Sequence, residues 1–139
     1  MSETVPTRLT TDEAWEQLEA HEFGRLAFHL ADEVHITPIN YAADQRRRLI
    51  FRTAEGSKLL GITMNHDVAF EIDDFSGEVA MSVIVRGTAH QLEGADEDAV
   101  EQLPLRPWVH TTKHNVIAID VDEISGLNYP LTRPWTHMR

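Results

Sequence analysis

Cysteine is absent from the 139 residues, which removes disulfides, thiolate metal sites and cysteine nucleophiles from consideration. Basic residues are scarce, with 12 Lys and Arg against 23 Asp and Glu and a net charge of -11. A phosphate backbone or an anionic bilayer is bound through a basic surface, so neither nucleic acid nor membrane is expected as a partner. No apolar run approaches the length of a membrane span, and Met1-Ser2-Glu3-Thr4-Val5-Pro6 lacks the basic and apolar regions of a signal peptide. A soluble cytoplasmic protein is the expectation. Internal repeats, low-complexity tracts and linkers are also missing, and the length suits one domain spanning 1–139.

What is there is mostly strand-like. Residues 1–8 are polar and contain Pro6, and are expected to be flexible. Thr10 followed by Glu13 is a capping-box pattern, with Ala14, Trp15 and Leu18 on one face of a helix that ends near His21. Phe23 to Leu30 alternates with period two, Ala31-Asp32-Glu33 reads as a hairpin turn, and Val34 to Ala42 reads as the next strand. Pro38 inside that strand removes a ladder donor, which points to an edge, a bulge or a place where backbone faces a ligand. Asp44-Gln45-Arg46-Arg47-Arg48 reads as a solvated hairpin tip. Strands follow at Leu49 to Arg52, Val68 to Asp73, Val79 to Leu92 and Asn115 to Val121, with helices at 58–65 and 93–103. Pro104 to Trp108 is a stiff connector, and the aromatic tail from Gly126 to Arg139 is expected to dock on something. Short strands joined by hairpins indicate a mostly β protein, an antiparallel barrel with helices packed outside it.

The turn from Phe51 to Leu59 holds the chemistry. A strand passes there into a helix start, whose unpaired N–H groups and dipole attract anions. Gly56 permits close backbone approach, Ser57 adds a hydroxyl, and Arg52 and Lys58 supply charge as a planar fork and a mobile point. Together they suit a phosphate monoester. The same residues also suit an ordinary helix cap with a solvated lysine. The spacing is not that of a Walker A loop, and GxGxxG is missing.

Four stretches occur in order: Phe23-Gly24-Arg25-Leu26-Ala27, Pro38-Ile39-Asn40-Tyr41, Phe51 to Leu59, and Ser82-Val83-Ile84-Val85-Arg86-Gly87-Thr88-Ala89. In this the chain resembles the FMN-binding split-barrel family related to pyridoxamine 5'-phosphate oxidase, over most of Leu9 to Gly126. The resemblance implies a six-stranded antiparallel split β-barrel that forms a homodimer, with FMN in clefts at the subunit interface. It assigns the phosphate to Arg52, Thr53, Ser57 and Lys58, and lays the isoalloxazine against Pro38, Ile39 and Asn40. Met81 stands where a tryptophan is common in this branch, and Leu127-Asn128 where arginines are common; both bear on ring contacts and substrate choice. Relatives in the wider superfamily bind the deazaflavin F420 or haem, so fold does not decide function.

Other constellations carry less. His110 and His114 have a ligand-like spacing but no completing carboxylate or cysteine, so no metal site is assigned. His29 and His35, on adjacent hairpin strands, are read as surface or interface histidines, and one histidine as an axial haem ligand stays an alternative. Ser57 and Ser82 lack triad partners at motif positions, while Glu71, Asp73 and Asp74 read as strand-end residues. Trp108 and Trp135 suit dimer packing or stacking over a partner's flavin. No side chain is assigned a catalytic role. The expected function is an FMN-dependent oxidoreductase acting on a small organic acceptor; the alternatives are a flavin-binding or storage protein without a dedicated substrate and an F420-dependent reductase.

Overall fold

The computed structural model describes residues 5–45, 47–53, 66–100 and 115–131. Helix α1 (Thr11–Ala20) starts on the expected capping box, in which the Glu13 N–H donates to Thr10 Oγ1 and the Thr10 N–H donates to Glu13 Oε1. Reciprocal capping of this kind stabilises a helix start by about 1 kcal/mol. Ala14, Trp15 and Leu18 are buried beneath it. At its far end the Leu18 carbonyl, which has no intrahelical donor, accepts a 2.6 Å hydrogen bond from the Tyr41 hydroxyl.

The described residues form eight strands, β1 (Thr7–Arg8), β2 (Phe23–Leu30), β3 (Glu33–Asn40), β4 (Ala42–Ala43), β5 (Arg48–Thr53), β6 (Asp67–Ser76), β7 (Val79–Leu92) and β8 (Asn115–Pro130); burial alternates along β2, the first part of β6 and most of β7, whereas β5 and β8 bury consecutive residues. β1 and β4 are two residues each, so six longer strands carry the sheet, as expected for this barrel. Every pairing is antiparallel, in the order β3-β2-β6-β7-β8-β5-β4, with β1 added to β8. The sheet curls until β3 comes against β5, yet no ladder joins these two strands. The result is a barrel open along one seam.

Leu26, Phe28, Phe51, Phe70, Ile72, Val83, Val85, Ile117 and Ile119 fill the concave side. A second cluster of Ile50, Leu92, Val100, Val116 and Ala118 lies apart from it. The short helix α2 (Ala95–Ala99) follows β7 and leads to Val100.

Several boundaries differ from expectation. The strand anticipated over Val34 to Ala42 is broken at Tyr41, whose N–H donates to the Glu22 carbonyl as the chain leaves β2 and turns to β5. The last strand runs nine residues past Val121 to Pro130, so the first part of the aromatic tail docks as a strand between β7 and β1. Thr7 and Arg8, at the end of the stretch read as loose, pair with Asn128 and Leu127. The arginine turn is solvated at Gln45 and Arg47 but not at its base, where Arg48 holds Asp44 through Nε and Nη2, with side chains only 14% and 9% exposed. Arg47 reaches Asp12 and lies 5.5 Å over the Trp15 ring. Pro38 sits on the edge strand β3, where a missing N–H costs no ladder bond. No helix among the described residues is long and apolar enough to cross a membrane.

Candidate functional site

The seam between β3 and β5 is made by a change of partner. β3 stays paired with β2 through Asn40, opposite Phe23. Two residues later Ala42 is opposite Ile50 and Ala43 opposite Leu49. That antiparallel register, continued backwards, would set Tyr41 opposite Phe51 and Asn40 opposite Arg52, but the ladder stops at Ala42 and the strands part. Paired residues share a sheet face, so Asn40 and Arg52 flank the opening where the pairing ends. The Glu22 carbonyl fixes this corner, accepting from both the Tyr41 N–H at 3.0 Å and Asn40 Nδ2 at 3.2 Å.

Both flanking side chains carry covered polar atoms with no hydrogen-bond partner among the described residues: Nε of Arg52 and Oδ1 of Asn40. An unmet buried donor or acceptor costs about 1–3 kcal/mol, more when charged, and such groups are rare in folded proteins. Arg52 is half-buried and has no carboxylate partner among the described residues. By contrast Arg25, Arg47 and Arg48 all hold carboxylates. In a chain with 23 acidic residues against 12 basic ones, a half-buried guanidinium left without a counter-charge is what an anion site requires. Its neighbour Thr53 is buried, at 8% exposure.

Of the other residues anticipated for the site, Ile39 packs in the core, so only its backbone is free to face a ligand, and Pro38 is exposed on the edge. Ser57, Lys58 and Trp108 lie outside the described residues, as do His110, His114 and Trp135. His29 and His35 are not opposed: His29 faces Val34, while His35 faces Phe28 and stacks on its ring at 5.6 Å. Among the described residues no group of His, Asp and Glu could hold a metal ion.

One cluster was not anticipated. Arg25 Nε donates to Glu71 at 2.7 Å and Arg25 Nη2 to Asp73 at 2.8 Å, where the sequence suggests only strand-end and turn residues. No local signal marks it, since Arg25 and Glu71 are cross-strand partners remote in sequence, and Arg25 also faces Pro38. Burial, and then the Asp73 carboxyl, push the Glu71 carboxyl above its ordinary 4.5, against the pull of Arg25. A shallow cavity of about 440 Å³ lies on the outer sheet face, lined by Ala27, His29, Val34, Ala69, Arg86 and Glu123 among others, and it includes neither Asn40 nor Arg52.

Comparison with known proteins agrees with this architecture. Residues 10–128 match the family model described as pyridoxamine 5'-phosphate oxidase. A crystal structure from Corynebacterium glutamicum, named for the same family, is 38% identical, superposes with a TM-score of 0.81, and is covered over 96% of its length by 92% of this chain. A protein of Mycobacterium smegmatis described as FAD binding is 35% identical with a TM-score of 0.78, over 91% of this chain and all of that one. An uncharacterised protein of Mycobacterium tuberculosis is 30% identical over 126 residues, 86% of this chain and 82% of that one. With a family match over most of its length and a curled antiparallel sheet open at one seam, the chain belongs to the pyridoxamine 5'-phosphate oxidase family.

Proposed function

We propose that the seam between β3 and β5 receives the phosphate of a flavin mononucleotide, with Arg52 as its half-buried ligand and Thr53, Ser57 and Lys58 completing the cradle. The observation that carries this reading is the half-buried Arg52 guanidinium, whose Nε has no hydrogen-bond partner among the described residues. A phosphate oxygen supplies both the missing acceptor and the missing counter-charge. Flavin is favoured over other phosphate esters by the family and by the FAD-binding relative from Mycobacterium smegmatis. Among flavins, the mononucleotide is the one that the sequence resemblance implies.

Bound flavin would supply hydride or electron transfer, making the protein an oxidoreductase acting on a small organic acceptor. The chain's own part is to hold the phosphate and present the edge strand at Pro38 and Asn40 to the rest of the cofactor. The working unit is a homodimer. Val34 and Ile36 on β3 are 72% and 69% exposed and Ile84 on β7 is 45% exposed, and Ile36 continues through Ala27 and Ala69 as one row across the outer face. A second copy of that face would cover the row.

Replacing Arg52 and Lys58 together by alanine is expected to weaken FMN binding by several kcal/mol, at about 1.5–3 for each charged hydrogen bond. Flavin fluorescence quenching reads this directly, and undiminished affinity would overturn the cradle. Reduction of the bound flavin by NADH or NADPH, followed by reoxidation by an acceptor faster than by oxygen, separates an enzyme from a flavin carrier. A Soret band in the purified protein would replace flavin by haem.

A further inference from the structure

Arg86 and Glu123 are opposite each other in the β7–β8 ladder, the usual setting for a cross-strand ion pair. No ion pair joins them. The ladder beside them supplies the reason: Arg86 is opposite Glu123, Gly87 is opposite Val121, and Asp122 is the extra residue of a β-bulge. Gly87 lets the strands close up there, since a Cβ would run into the Asp120 carbonyl oxygen. A bulge bends its strand and re-aims the side chains next to it. Both residues are exposed, and both line the hollow on the outer sheet face together with Ala27, Ala69 and Val34.

The other charged groups around that hollow are engaged. Asp122 accepts from the Thr88 hydroxyl at 3.3 Å, and Asp67 also has a partner. In the adjoining rows Arg25 holds Glu71 and Asp73, and His90 lies 2.9 Å from Asp120. Among the described residues lining the hollow, Arg86 and Glu123 are therefore charges of opposite sign left without a counter-charge, next to the exposed Val34, Ile36 and Ile84.

We infer that this hollow is where two copies of the chain engage, with Arg86 of each protomer paired to Glu123 of the partner subunit. The inference rests on the proposed homodimer and deepens it by naming the contact that sets its orientation. A two-fold contact makes every pairing twice, and two neighbouring charges of opposite sign form a patch that complements itself. A partner of one sign only would leave one of the two residues unmet. The apolar row supplies area without direction, whereas charged pairs fix how the faces meet and disfavour wrong partners.

Four proteins are compared: wild type, Arg86→Glu, Glu123→Arg, and a chain carrying both changes. Sedimentation equilibrium over a dilution series gives the dimer Kd of each. Either single reversal sets like charges together twice in the interface and is expected to raise Kd about tenfold or more. The doubly changed chain is expected to return to within about threefold of wild type. A pair formed within one chain would recover in the same way, so the two single variants are also mixed. A heterodimer of Arg86→Glu with Glu123→Arg has opposite charges at both contacts. It is expected to form at concentrations where either variant alone is monomeric, which also shows that both are folded. A mixture that does not heterodimerise, or single variants that dimerise as wild type does, overturns the inference and leaves the homodimer standing. A monomeric wild type overturns both.

Discussion

Gly24 occupies a position where no side chain fits. A Cβ there would lie 2.4 Å from the Phe70 ring, 2.6 Å from the Glu71 carbonyl oxygen and 2.9 Å from Ile72. The carbonyl belongs to the neighbouring strand and cannot move without disturbing the β2–β6 ladder. Gly24→Ala is expected to destabilise by about 1–3 kcal/mol, measured as a lower denaturation midpoint in urea. Glu71, next to this contact, makes a pH prediction. Its carboxyl is raised above 4.5 in the fold, so the protonated form is favoured by folding. The stability this gives is present below pH 4.5 and lost as pH rises through the elevated folded-state value. Glu71→Gln keeps an uncharged side chain at every pH, so the Tm of wild type relative to this variant is expected to fall across that rise. A constant difference would show an unperturbed carboxyl. Single residues were unevenly legible: Arg52 stood out because Gly56, Ser57 and Lys58 follow it closely in a chain poor in basic residues, whereas the Arg25 cluster emerges only once register sets the strands at 25 and 71 side by side.

Among elements, the β2–β3 hairpin shows a local cost. Its turn residues Ala31 and Asp32 have φ of 51° and 66°, and Leu30 pairs with Glu33 across them. A two-residue turn with both φ positive matches strand twist but favours Asn-Gly, since a Cβ in the left-handed region costs about 1–2 kcal/mol. The double change Ala31→Asn with Asp32→Gly is therefore expected to raise stability by about 1 kcal/mol in equilibrium denaturation. Hairpins of this type, the capped helix and the alternating strands were readable because their signals are local. The break at Tyr41 was not, because Val34 to Ala42 keeps alternating while the partner changes from β2 to β5, and a change of partner leaves no mark in hydropathy. The extension of β8 to Pro130 was hidden similarly: its pairs with β7 and β1 are remote in sequence, and Gly126 and Pro130 locally read as breakers. Gly126 lets the Leu9 side chain lie close against β8, since a Cβ would meet it at 2.7 Å and Leu9 would have to shift.

At the scale of the whole molecule, the proposed homodimer is tested on the outer face of the sheet. Ile36→Glu places a charge in the middle of the exposed apolar row and within a chain already at -11. The variant is expected to elute as a monomer by size-exclusion chromatography with light scattering, while wild type elutes as a dimer. A monomeric wild type would remove the homodimer from the proposal. The family and the barrel were legible because four motifs fall in order along the chain. The seam itself was anticipated only in outline, and the place where the ladder ends required the register of β4 on β5.

β8 begins at residue 115 of 139 and is the partner of β1, β5 and β7. During translation these three strands leave the ribosome well before the segment that joins them, so β5 and β7 each wait with an uncovered edge. Closure of the sheet therefore waits for β8. A nascent chain stopped short of β8 keeps two adhesive edges open, which makes premature termination a route to aggregation and not to a smaller working protein.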